Sequence, residues 1–459
     1  MEDTKAGMKT KLVQRVTLLV DQLVNWTDET ERPTLAQIEE IVLKLREQMG
    51  EAMAEAVIER QEAKRPVPGP SCPECGQEMH YKGVKGCRVI SQVGELDIQR
   101  GYYYCERCGS GSFPLDEQLG MKDKHWSESV VKLAVWLSGL VEFEQAEQIL
   151  AKVGRISLSD SSIWRRCQEW GERFRVIERN ERKLRMALPE RGEVITGERP
   201  SARVMGVAID GATVHLREEG WKELKVGCVF EVERALPGEQ ARPAGEMPGD
   251  GPELARAVRS SYVAHLGGPE LLGQLVWAEA QRRGWSQARE TIALGDGAAW
   301  IWNVVTEHFY DSRQAVDWYH ATQHLAHAGH VLYGEGSAAA QRWYRHYETV
   351  LFQGHAEQIA QELSQAAQHR PHLADDLRRE AGYFRKNWRR MQYMELREDG
   401  LPIGSGAVES GCKQYRARFT GPGMRWSRTG LERLLPIRSA IMGNRFDLLW
   451  QAARSLPPN

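Results

Sequence analysis

The sequence predicts an α+β multidomain protein. A mixed α/β core is interrupted by an all-helical insertion and preceded by a helical region, a cysteine-paired ribbon and a second helical region. Three observations carry this. Two Cys-x-x-Cys-Gly pairs stand near the N-terminus with 29 residues between Cys75 and Cys105. Apolar runs of strand length alternate with helical spacing between residues 203 and 319, and helical spacing then continues over residues 320–395. The predicted boundaries are a helical region 1–65, a ribbon 66–120, helices 121–200, a first core part 201–320, the insertion 321–400 and a last core part 401–459.

A chain of 459 residues has room for several domains with a sizeable core. At 41% apolar and 27% charged it reads as an ordinary soluble globular chain. No apolar run approaches the roughly 18 residues of a membrane span. The opening Met-Glu-Asp-Thr-Lys carries no signal-peptide pattern, so a cytoplasmic location is expected. The net charge of −2 hides an asymmetry: Ala381 to Arg445 holds thirteen Lys/Arg against five Asp/Glu, a balance of +8. That stretch suits a polyanion. Most of the fifteen Trp suit a core, but Trp388 and Trp426 stand beside basic residues and are candidate stacking surfaces.

Leu12, Val16, Leu19, Val20 and Leu23 recur at helical spacing, and after Pro33 so do Ile38, Ile41, Val42 and Leu45. This reads as a helical hairpin, either packed on the body or acting as a dimerisation arm. Pro66-Val-Pro-Gly-Pro70 marks a linker. Cys72, Cys75, Cys105 and Cys108 then supply four thiolates from two knuckles, the ligand set of one structural Zn²⁺. Strand-like segments Gly86–Ile90 and Glu95–Tyr104 fill the spacer, giving a zinc ribbon. A redox pair is the alternative. Cys87, Cys167, Cys228 and Cys412 have no partners at metal spacing and read as ordinary thiols.

Residues 126–175 are helical in pattern. Ser127 is placed to cap a helix carrying Val130, Val131 and Leu133. A helix over Phe143–Val153 and one opening at Ser159 have the length of a helix-turn-helix, with Ser161, Ser162, Arg165 and Arg166 where groove contacts are made. Three-helix units that never touch DNA share this pattern.

In the core, residues 204–214 and 224–233 read as strands joined by a turn at Gly220-Trp-Lys, followed by a Pro/Gly-rich loop over Leu236–Pro252. A strand at Ser261–Leu266, a helix at Pro269–Arg283, a strand at Thr291–Gly295, a helix at Ala298–Phe309 and a last strand at Ala315–Tyr319 complete the order. Three strands, helix, strand, helix, strand fits an RNase H-like sheet.

Asp210 breaks the apolar run Gly206–Val214, Asp296 follows Thr291–Gly295, and Glu409 lies in Gly404-Ser-Gly-Ala-Val-Glu-Ser. An acid closing a buried strand is costly unless it is paired or holds a metal. Gathered together, these three acids suit a pair of Mg²⁺ or Mn²⁺ ions, the apparatus for cutting and joining phosphodiester bonds. Each acid alone also fits a cap or turn. His320, His324 and His327 share a helix face. This reads as a polar cluster or a face lining the site, and His320 beside Asp317 is the pair nearest to chemistry. Lys413, Arg416 and Arg418 follow Glu409 on one helix, and Arg425 and Trp426 follow the Gly421-Pro-Gly turn. These are candidate DNA contacts, with Trp426 as a core anchor the alternative.

Five segments together resemble the bacterial insertion-sequence transposases of the ISKra type, DDE transposases related to the Mutator group. They are Asp210-Gly with Gly220-Trp-Lys-Glu-Leu-Lys-Val-Gly, Leu294-Gly-Asp-Gly-Ala-Ala-Trp-Ile-Trp-Asn, Asp317-Trp-Tyr-His-Ala-Thr-Gln-His-Leu, Gly404-Ser-Gly-Ala-Val-Glu-Ser and Met424-Arg-Trp-Ser. The resemblance covers residues 70–450 or so. It implies an RNase H-like domain with Asp210, Asp296 and Glu409 as metal ligands, and Asp317 to His320 as the family's (Cys/Asp)-x-x-His motif. It further implies cleavage at element ends and strand transfer into target DNA, by a homodimer or larger assembly in a bacterial cytoplasm, at the nucleoid. Two other readings stay open: a DNA-binding regulator with an inactive core, and a nuclease that cuts without joining.

Overall fold

The computed structural model describes residues 2–186, 201–234 and 255–457. The predicted loop Leu236–Pro252 and the end of the predicted region 121–200 lie outside them. The described chain is mixed α/β with two sheets. It forms two compact units, Met1–Arg166 and Cys167–Asn459.

The first unit opens with helices α1 (Glu2–Glu29) and α2 (Leu35–Glu59). Thr34 starts α2 through a capping box: its hydroxyl accepts the Gln37 N–H, and the Gln37 side chain accepts the Thr34 N–H at 2.9 Å. Leu19 and Leu45 are buried, whereas Val13, Val20 and Val24 form a second, exposed stripe on α1. Strands β1 (His80–Ser91), β2 (Gly94–Tyr104) and β3 (Gly111–Ser112) make an antiparallel sheet in that order. Helix α2 is tied to it because Glu51 and Glu55 accept the backbone N–H groups of Glu95 and Asp97, both at 2.9 Å. Helices α3 (Pro114–Gln118), α4 (Glu128–Leu140) and α5 (Phe143–Lys152) follow. Ser127 caps α4 by accepting the Val130 N–H. Helix α6 (Asp160–Met186) then crosses from the first unit into the second, so the boundary falls at Arg166 inside a helix.

In the second unit β4 (Ser201–Leu216), β5 (Gly220–Arg234), β6 (Ala255–His265), β7 (Ala288–Gly295) and β8 (Arg313–Val316) form one sheet in the order β6-β5-β4-β7-β8. The first three strands are antiparallel neighbours, while β4, β7 and β8 run parallel. Helices α7 (Pro269–Arg282) and α8 (Ala299–His308) connect them.

Two sequence expectations fail locally. Gly220-Trp-Lys opens β5 rather than turning: Gly220, at φ +71°, pairs with Leu216, and Trp221 pairs with His215. The last strand ends at Val316 and not at Tyr319, because Asp317 caps the next helix by accepting the His320 N–H at 2.8 Å.

Helices α9 (Trp318–Tyr333), α10 (Ala338–Phe352), α11 (Ala356–His369), α12 (Ala374–Asn387) and α13 (Tyr393–Glu398) form the expected helical stretch. It has no separate core. Val207, Ile209 and Val316 of the sheet belong to the same buried cluster as Trp318, Leu325, Leu363 and Phe384 of the helices. The chain closes with α14 (Gly406–Phe419), α15 (Arg428–Met442) and α16 (Phe446–Arg454). Gly411 lets α14 lie close to β6, since a Cβ there would meet the Tyr262 ring at 2.6 Å. The later part of α6 packs in this unit, with Trp170 stacked on Trp450 at 3.6 Å. Among the described residues no helix is long and apolar enough to cross a membrane.

Candidate metal centres

In the first unit the two cysteine knuckles are the same turn used twice. The Gly76 N–H donates to the Cys72 carbonyl at 2.8 Å, and the Gly109 N–H to the Cys105 carbonyl at 2.9 Å. Both glycines have positive φ, +74° and +68°, which a side chain would disfavour. The four sulfurs of Cys72, Cys75, Cys105 and Cys108 all lie within 4.8 Å of one another, with Cys75 and Cys105 at 3.6 Å. The Ser110 hydroxyl and the backbone N–H groups of Glu74 and Cys75 pull the Cys72 thiol down to about 6. The Cys75 thiol and the other two hold Cys108 well above the usual thiol range. Four crowded thiols that cannot all ionise unaided suit one tetrahedral thiophilic cation, and the set can hold a structural zinc.

The second unit gathers acids at one edge of its sheet. Asp210 is not at the end of β4 but within it, opposite Val226 of β5. On its other side the parallel ladder with β7 runs only to Ala208, so Asp210 stands just past that ladder. Asp296 follows β7 directly and Asp317 follows β8 directly. Three neighbouring parallel strands therefore each deliver one acid to the same edge. Glu409 comes from the first turn of α14 and accepts from the Ser405 hydroxyl at 3.4 Å.

Asp317, His320 and Glu409 offer ligand atoms that all lie within 4.8 Å of one another. Neither Asp210 nor Asp296 is in that set. Both nevertheless act electrostatically on His320, and Asp296 acts on Asp210. Burial chiefly, and the neighbouring Asp296 charge, push the Asp210 carboxyl up. Its Oδ1 accepts the Gly211 N–H at 2.6 Å. Asp296 accepts the Ala298 N–H at 2.8 Å, so it has the turn role as well. His320 is held above the usual histidine value by its 3.1 Å contact with Asp317. Clustered acids with a raised Asp210 suit a hard divalent cation, which relieves like-charge repulsion.

Some neighbours carried no usable sequence signal. The Cys412 thiol donates to the Asp210 carboxylate and is itself raised by burial. Only its i+3 spacing from Glu409 hinted at a shared helix face. His324 and His327 do have a partner acid: Glu380 of α12 meets their Nδ1 atoms at 2.7 and 3.1 Å. Tyr383, one turn on, stacks on His324 at 3.6 Å and donates to the Asp296 carbonyl at 3.2 Å.

The candidate DNA contacts separate by burial. Arg165 is exposed at the start of α6 and, among the described residues, bonded to Ser161 and Ser162 of its own turn. Arg166 is instead held by Asp123 at 2.7 and 3.1 Å and lies over Trp126. That double engagement takes it away from base reading. Lys413 and Arg416 are exposed on α14. Arg418, expected beside them, is buried against Phe419 and Trp426, because α14 turns that face inward. Arg425 is exposed. Trp426 is half-buried, its indole N–H donating to the Phe419 carbonyl at 2.9 Å and its backbone bridging to β4 beside Leu216. The chain matches no known family model, and no curated protein shows significant similarity to it.

Proposed function

We propose that the chain is a DDE-type transposase that cleaves DNA at the ends of an insertion sequence and joins those ends to target DNA. The observation that carries the reading is the delivery of Asp210, Asp296 and Asp317 by three adjacent parallel strands to one sheet edge, with Glu409 brought in by α14. Functional sites of open α/β sheets gather at such carboxyl ends. The strand order, three antiparallel strands flanked by two parallel ones, supports an RNase H-like core. The resemblance in sequence supplies the reaction class.

Asp210, Asp296 and Glu409 are the residues that would hold two Mg²⁺ or Mn²⁺ ions, with Asp317 and His320 beside them. Bound cations of this kind activate a nucleophile and offset charge on the phosphodiester. The chain's own groups orient the parts. Asp317 engages Nδ1 of His320 and leaves Nε2 as the ring nitrogen available to a ligand or a proton. Water would open the phosphodiester at the element end to a 3′-hydroxyl and a 5′-phosphate, and that 3′-hydroxyl would then attack a target phosphodiester, joining to its 5′ side as the target strand's own 3′-hydroxyl leaves. Arg165 on α6 and the zinc ribbon are the parts assigned to end recognition.

Labelled element-end DNA incubated with purified protein, with and without Mg²⁺, tests this. Asp210→Asn, Asp296→Asn and Glu409→Gln should each abolish cleavage and keep DNA binding. Substantial cleavage by one of them removes that residue from the site. Cleavage without joining by the wild-type protein makes it a nuclease, and binding without cleavage makes it a regulator.

Holding two ends requires at least two copies. The exposed stripe Val13, Val20 and Val24 on α1 is proposed as the contact with a second copy. Charge supports an antiparallel pairing of the α1 segment after Gly7, since Lys9, Lys11 and Arg15 come first along it and Asp21, Asp28 and Glu29 last. Sedimentation should show a dimer for the wild type and a monomer for a Val13→Glu/Val20→Glu variant. A monomeric wild type, or an unchanged dimer in the variant, removes this contact.

A further inference from the structure

Strand β8 is an edge of the five-stranded sheet, and beside it opens a basin of about 640 Å³. Arg313 and Gln314 of β8 line one side; Lys386, Trp388, Arg389 and Arg390, at and after the end of α12, line the other. The charges here are of two kinds. Arg313 is neutralised, donating to Glu395 at 2.8 Å and to Asp399 at 3.0 Å. Arg390 is not. Its Nε donates to the Gln314 amide oxygen at 2.8 Å and another nitrogen to Asn387 at 3.5 Å, while its guanidinium lies 4.3 Å from the Trp302 ring centre. Both hydrogen-bond partners are neutral amides, and burial alone pulls its pKa down. A half-buried cation met only by neutral groups is costly, and an anion relieves that cost.

Lys386 and Arg389 add to the imbalance. Both are exposed, and among the described residues neither has an acidic partner. Arg389 stands over the Trp388 ring, 5.2 Å from its centre. The basin's own acid, Glu395, is already taken by Arg313. Among the described residues, that leaves three uncompensated cations around a half-buried indole. Cations of this kind track a nucleic-acid backbone, and an aromatic face beside them suits a stacked base.

Position connects the basin to the acids. Arg313 opens β8 and Asp317 directly follows its last residue, and a strand rises about 3.3 Å per residue, so the separation is roughly 13 Å. A duplex places one phosphate per strand about every 3.4 Å of axis, so this is on the order of four phosphates. We infer that the basin formed by Lys386, Arg389, Arg390 and Trp388 beside β8 grips the phosphodiester backbone of a DNA strand a few nucleotides from the clustered carboxylates. It positions the strand without reading its sequence, since phosphate contacts carry no base information. The inference rests on the proposal that the chain acts on DNA.

The test compares the full-length protein with a Lys386→Ala/Arg389→Ala variant. Both side chains are exposed, so the fold and melting temperature should be unchanged. Affinity for a random-sequence duplex is measured across a salt series without added divalent cation, and retention on heparin is measured in parallel. Two lost phosphate contacts should make the log–log salt slope shallower by about 1.8 and lower the salt needed for heparin elution. If the wild type binds no DNA but the variant leaves heparin earlier, the anion site stands and the DNA reading falls. If the duplex slope is unchanged, whatever heparin shows, the basin is not part of the DNA path and the inference is overturned.

Discussion

The Asp317 carboxylate ties the end of β8 to the segment before α14: its Oδ2 accepts the Ser405 backbone N–H at 2.5 Å across 88 residues of sequence. Its Oδ1 accepts from the His320 backbone at 2.8 Å. Asp317 is fully buried, and although burial opposes its charge, the hydrogen bonds from His320 and Ser405 hold its carboxyl below the usual range. The group therefore sets where α14 begins, and so where Glu409 stands.

Asp317→Asn replaces one acceptor oxygen with a donor that faces either Ser405 or His320. Leaving a buried donor unsatisfied costs about 1–3 kcal/mol. The variant should melt several degrees lower and displace Glu409; under the proposed function, DNA cleavage should fall by about 10²-fold if the shift approaches 1 Å. Calorimetry and the cleavage assay check both. An unchanged melting temperature would show that this buried link does not stabilise the fold.

The knuckles predict one zinc per chain by elemental analysis. Cys75→Ser or Cys108→Ser should release it, and limited proteolysis should then cut between residues 72 and 108, because a structural zinc site of this size is stable only when loaded. Less than about half a zinc per wild-type chain, with no effect of the substitutions, would return these cysteines to the redox alternative.

What the sequence revealed was local. Cys72, Cys75, Cys105 and Cys108 were readable because ligand spacing lies within a few residues. Asp210 and Asp296 were readable because an acid interrupts or follows an apolar run. The missing parts depend on distant contacts. Glu380 meets His324 and His327 from more than fifty residues away, and no spacing rule reaches that far. Asp317 looked like strand because its neighbours are apolar, while its capping hydrogen bond depends on His320 and its buried tie on Ser405. Position at the start of the helix-turn-helix's last helix placed Arg166 on a DNA surface, and position after Glu409 on one helix placed Arg418 there; Asp123 holds the first and α14 packing buries the second. The helical stretch after β8 reads as an insertion because helical spacing runs through the interval between Asp296 and Glu409, and its residues share one buried cluster with the sheet.

Burial divides the basic residues of the last segment into two groups with different phenotypes. Lys413 and Arg416 are exposed one turn apart, so Lys413→Ala and Arg416→Ala should each flatten the salt dependence of DNA binding by about 0.9 and leave melting unchanged. Arg418→Ala and Trp426→Ala should behave oppositely. Trp426 packs edge-on against Phe419 at 5.8 Å and loses an indole hydrogen bond on truncation. A loss of about 2–4 kcal/mol is expected, toward the lower part of the range for large aromatic truncations because the residue is only half-buried. A normal melting temperature for Trp426→Ala would return it to the surface role.

Glu380 is 3% exposed and holds two histidines that face the same helix pair as Tyr383. Burial alone would raise its carboxyl, but the His324 hydrogen bond and the charges of His324 and His327 outweigh it and keep the group below 4.5, its ordinary value. A further cation, Arg379, stands at 3.6 Å. A folded-state pKa below the unfolded one stabilises the fold above the unfolded value and loses that contribution as pH falls through the folded one. Glu380→Gln should therefore melt several degrees below wild type at pH 7, since hydrogen bonds to a charged group contribute about 1.5–3 kcal/mol. The gap should persist down to about pH 5 and narrow below 4.5 as the wild-type carboxylate takes up its proton. Melting curves from pH 7 to about pH 3.5 test this. A gap that stays constant over the whole range would mean that Glu380 contributes through packing rather than through its charge. Tyr383→Phe separates the link to the acidic sheet edge from the ion pairs: it keeps the ring on His324 and removes only the hydrogen bond to the Asp296 carbonyl. Under the proposed function it should slow DNA cleavage, while the pH dependence of melting stays as in wild type.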